Sequence, residues 1–76
     1  MEPHFRFIIL NILNMLEYFK LILSKVSFDK RLFERELRKA IKSLWEEELA
    51  QLKKWCYQEF GQIYGPIIDR QFVLAH

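Results

Sequence analysis

Residues 30–60 read KRLFERELRKAIKSLWEEELAQLKKWCYQEF, and this stretch decides the fold. It contains neither Gly nor Pro and is built mostly from strong helix formers. Its apolar set is Phe33, Leu37, Ile41, Leu44, Trp45, Leu49, Leu52, Trp55, Cys56 and Phe60. The repeat is nearer eleven residues than seven, as in Phe33–Leu44–Trp55, so the apolar face drifts around a helix axis. The spacing predicts one helix over about residues 30–60 whose two halves meet different neighbours. Asp29 stands just before it as an N-cap. Phe28 before the cap and Phe33 after it have the spacing of a hydrophobic staple.

Upstream, about residues 3–25 predict a first helix, with Pro3 suited to its opening turn. Phe5, Ile12, Phe19 and Val26 form one row, Ile8, Met15 and Ile22 a second, and Ile9, Leu16 and Leu23 a third. That stripe is the pattern of helices packed side by side. Phe7, Leu10, Leu13 and Leu21 lie on the other side, so this helix is expected to be covered on two sides. Arg6, Asn11, Asn14, Glu17 and Lys20 interrupt the run, which argues against a membrane span or a signal peptide. Downstream, Gly61 is a candidate C-cap and Gly65-Pro66 a stop. Ile67, Ile68, Phe72 and Val73 fit a short third helix over about residues 66–75, with an extended tail as the alternative.

The expected fold is therefore a single all-α domain over residues 1–76, an antiparallel helical hairpin with a short C-terminal helix or tail. The two main helices would be about 33 Å and about 46 Å long at 1.5 Å per residue. The overhang would carry Trp55, Tyr57 and Phe60, which need a cover from the tail or a second chain. A 76-residue core is small, and one cysteine allows no internal disulfide. Association is the remaining support, and the expected form is a homodimer closing a four-helix bundle. Its interface is expected to use Phe7, Leu10, Leu13, Leu21, Trp45, Trp55, Tyr57 and Phe60, since aromatic anchors often dominate interfaces.

Catalytic equipment is not evident. His4 and His76 are the two histidines, each near an end of the sequence, and a general base needs a fixed orienting partner. Cys56 lies late in its helix, away from the helix N-terminus that would favour a thiolate, and reads as a packing residue. Glu46, Glu47 and Glu48 point in different directions around a helix and lack the Glu-x-x-His partners of carboxylate metal sites. No cofactor or metal is expected, and the chain reads as non-enzymatic. The single cysteine fits a reducing, cytoplasmic setting.

The strongest polar feature is a basic stripe, Arg31, Arg35, Arg38 and Lys42, within about 60° on a helical wheel. Residues 30–42 hold six Lys or Arg against Glu34 and Glu36, a local charge of +4 beside −3 at Glu46–Glu48. The favoured reading is a solvated face with i,i+4 pairs Glu34–Arg38 and Lys42–Glu46. The alternatives are a phosphate-tracking surface for nucleic acid and a membrane-surface role for the apolar first helix. Two copies of the second helix crossing antiparallel at Leu44 would bring Lys42 to Glu46 of a second copy, and Glu34 to its Lys54. The expected function is a self-associating interaction module, with an adaptor or regulatory role, and another protein is the alternative partner for its surplus apolar surface.

Overall fold

The computed structural model describes residues 15–74, which form three α-helices and no strand. The described part of α1 is residues 15–25; α2 is Lys30–Ser43 and α3 is Glu46–Leu74.

The α1–α2 turn follows from local hydrogen bonding. Asp29 is the N-cap of α2, extended at φ −130° and ψ 114°. Its Oδ1 accepts from the N–H groups of Arg31 at 2.9 Å and Leu32 at 3.2 Å, two of the donors a helix start leaves without partners. The staple does not form. Phe28 is 80% exposed, while Phe33 is fully buried. Phe33 instead meets two rings of α3, Tyr64 at 4.6 Å and Phe60 at 5.1 Å between centroids. The Tyr64 hydroxyl donates to the Ser27 carbonyl at 2.7 Å, locking α3 onto the turn.

The single helix expected over residues 30–60 is two helices, and the hairpin is therefore a three-helix arrangement. The break falls at Leu44, where φ −97° and ψ 153° are extended. Lys42 lies in the last turn of α2, and Glu46, Glu47 and Glu48 occupy the first turn of α3. Each sign is placed where the helix dipole favours it. The Trp45 N–H donates to Glu48 Oε1 at 3.1 Å, the reach-back half of a capping box. The Ser43 hydroxyl donates to the Lys39 carbonyl at 2.9 Å, a back-bond that tends to bend helices. Leu44 itself is buried.

The break changes the packing. With the chain turned at Leu44, α3 folds back over the other helices and the overhang disappears. Trp55 and Phe60 pack against the core, with their rings 5.5 Å apart. Lys20 of α1 places its ammonium 5.8 Å from the Trp55 ring. The core joins Leu16, Phe19 and Leu23 of α1, Phe33, Leu37 and Ala40 of α2, and Leu52, Cys56, Ile67, Ile68 and Phe72 of α3.

The short helix expected over about residues 66–75, rather than the extended tail, is present through residue 74: it continues α3 as a distal arm, set off by a kink. Tyr64 leaves helical geometry at φ −121° and ψ 21°, just before Pro66. Proline lacks the N–H that would bond one turn back, and its ring crowds that carbonyl. Beyond the kink the arm buries Ile67, Ile68, Gln71 and Phe72, a helical stripe. Gly61 lies within the helix rather than at its end.

Candidate interaction surface

Glu34 of α2 organises the contact between α2 and the distal arm. One of its carboxylate oxygens accepts from Arg70 Nη2 at 2.7 Å and from Gln71 Nε2 at 2.6 Å. Arg38, one turn along α2, approaches the same oxygen at 4.0 Å, and its Nε donates to Gln71 Oε1 at 3.4 Å. The Arg70 hydrogen bond holds the Glu34 carboxyl below its usual range, against burial, helped by the Gln71 bond and the charges of Arg70 and Arg38. Gln71 is the buried polar residue of the described core, and both ends of its amide are paired. A buried amide needs such partners.

Beside this network lies an open groove of about 380 Å³, lined by Arg38, Ile41 and Lys42 of α2 and by Gln71 and Leu74 of the distal arm. Its wall is apolar at Ile41 and Leu74, and cationic at Arg38 and Lys42. Lys42 has no ion-pair partner among the described residues, and Leu74 is 71% exposed.

All four residues of the basic stripe are exposed, so the stripe is an outer face of α2. It is not uniform. Arg38 turns toward Gln71 and the groove, whereas the guanidinium groups of Arg31 and Arg35 have no hydrogen-bond or ion-pair partner among the described residues. The Glu34–Arg38 pair is present at 4.0 Å. A Lys42–Glu46 pair is absent among the described residues, because the break between them removes the i,i+4 geometry. The Lys39–Glu36 pair at 3.2 Å is on α2 as well.

The residues expected at an interface separate into three groups. Leu21 and Trp45 are exposed, and Tyr57 is at the margin of exposure. Trp55 and Phe60 are half-buried in packing within the chain. Phe7, Leu10 and Leu13 lie outside the described residues, as do His4 and His76. The structure adds Phe28, Ile63, Val73 and Leu74 to the exposed apolar set. For the last two, a run of Phe72-Val73-Leu74 at helical spacing with only Phe72 turned inward was the available signal.

Cys56 is fully buried, and desolvation pushes its thiol up to about 12. A thiol held protonated is a poor nucleophile. Among the described residues, no three His, Cys, Asp or Glu side chains are grouped to hold a metal ion. No helix among them is long and apolar enough to cross a membrane. No protein-family model matches the chain, and neither a curated protein nor a solved structure is significantly similar to it.

Proposed function

We propose that this chain is a small, non-enzymatic helical interaction module that self-associates, serving as an adaptor or regulatory component in a reducing, cytoplasmic setting. The observation that supports this is Trp45, 78% exposed at the break between α2 and α3. Tryptophan is usually well buried, and an exposed one is a typical anchor for a partner. Leu21, Val73 and Leu74 are further exposed apolar side chains, at 55%, 68% and 71%. In a homodimer, α2 and the distal arm of α3 from each copy would form a four-helix contact layer. This differs from two antiparallel hairpins crossing at Leu44, since the break takes away the straight helix that crossing requires, and Glu34 already holds Arg70 and Gln71.

Molar mass by light scattering across a wide concentration range tests the proposal. A dimer that resists dilution supports it, and a monomer throughout overturns it. One observation favours a second reading, nucleic-acid binding through Arg31, Arg35, Arg38 and Lys42: the whole stripe is exposed and most of it is unpaired among the described residues. That reading requires binding that weakens steeply with salt and is lost when these four residues are changed to Glu. Absence of binding at low salt would exclude it.

A further inference from the structure

Trp45 lies three residues beyond Lys42, which lines the groove, yet Trp45 is 78% exposed and does not fill that groove itself. A two-fold interface must be self-complementary, with a projection and a recess on the same face of each copy. Trp45 is the projection and the groove the recess, joined in the chain by the three residues that follow Lys42. The groove, at about 380 Å³, is within the size range of sites that enclose a small ligand or a large side chain.

The charges are arranged the same way. Arg38 and Lys42 give the groove a cationic rim. Next to Trp45, Glu46 and Glu47 are exposed and have no ion-pair partner among the described residues, whereas Glu48 is engaged by the Trp45 N–H. An apolar knob followed in the chain by two carboxylates thus stands three residues after a cation of the apolar recess. We infer that Trp45 of each copy enters the groove between α2 and the distal arm of a second copy, with Glu46 and Glu47 facing Lys42 and Arg38 across the two-fold axis.

This assignment deepens the self-association reading and rests on it. It explains why the largest exposed side chain sits at a helix break rather than along a helix face. There the extended Leu44 projects the following residue away from the core, and the cap holds it through backbone groups, leaving the indole uncommitted. Complementary charge fixes the register that apolar contact alone leaves loose.

The test is a charge exchange in the full chain. Lys42→Glu, and Glu46→Lys combined with Glu47→Lys, should each lower self-association when measured alone by sedimentation velocity. Mixed in equal amounts the two variants should associate more strongly than either does alone, because the reversed position 42 then meets the reversed positions 46 and 47, although unchanged Arg38 faces a reversed charge on one side of the axis and keeps recovery below the wild-type level. Trp45→Ala should weaken the dimer by about thirtyfold or more, as a central aromatic anchor does. Leu74→Glu, an exposed position outside the core, should weaken it from the groove side. Circular dichroism of each variant separates loss of association from loss of fold, and the recovery in the mixture makes the same distinction independently. A wild-type dimer that is indifferent to all these changes would leave self-association standing and remove this interface. A wild-type monomer would remove both. Variants that weaken association but fail to recover on mixing would also overturn the assignment.

Discussion

Glu34 illustrates how a single residue is committed by groups far from it in the chain. Its hydrogen bonds come from Arg70 and Gln71, and nothing in the local pattern of α2 distinguishes it from Glu36, which pairs with Lys39 on its own helix. Sequence spacing reveals neighbours three or four residues apart and is silent about partners on another helix. Asp29 is the opposite case, since a cap acts on the residues that immediately follow it and is legible from their order alone. The Glu34 cluster has a pH signature. Its carboxyl is held below the usual range in the folded chain, so its contribution to stability is full above the ordinary carboxylate pKa and is lost as pH falls through the depressed folded value. Glu34→Gln is expected to cost about 1–2 kcal/mol at neutral pH, the scale of a charge-assisted hydrogen bond at a partly exposed site. Urea titrations at pH 7 and at progressively lower pH check this. The gap between wild type and variant should narrow on acidification; a gap that is constant with pH would contradict the role of the charge.

At the scale of elements, helix propensity identified the helical content but not the division of residues 30–60. The interior lacks Gly and Pro, and every local preference permits one continuous helix. What turns the chain is a combination: Lys39 and Lys42 near one helix end, Glu46, Glu47 and Glu48 at the next start, and a buried Leu44 between them. The basic-then-acidic order was visible in the sequence and admits two explanations, a pairing between copies or a pair of abutting helix ends. The kink at Tyr64 was signalled more directly by Gly65-Pro66, although that signal does not say whether the helix stops or merely bends. Two substitutions in α3 should act in opposite directions. Glu48→Ala removes the side chain that accepts from the Trp45 N–H and should destabilise by about 0.5–1 kcal/mol. Gly61→Ala should stabilise by about 0.5–1 kcal/mol, because the added Cβ would meet Tyr57 at an ordinary 3.8 Å and the helix interior favours alanine. Thermal or urea denaturation followed by circular dichroism reads both, and a shift of the same sign in the two variants would contradict this account of α3.

The whole molecule depends on few buried side chains. For a 76-residue chain the total stability expected is about 4–11 kcal/mol. Phe33 is fully buried, meets Phe60 edge to face and lies against the tilted ring of Tyr64. Phe33→Ala should cost about 3–5 kcal/mol, a large share of that total, and leave the chain mostly unfolded or steeply sensitive to denaturant. A urea midpoint near that of wild type would show that the core does not centre on this ring. The position of Phe33 also imposes an order on assembly. Tyr64, whose hydroxyl ties α3 to the Ser27 carbonyl, and Ile68 beyond it are synthesised well after Phe33. At 5–20 residues per second, Tyr64 is added about 2–6 s after Phe33. Within the chain, α2 therefore gains its closing partners only once most of α3 has been made.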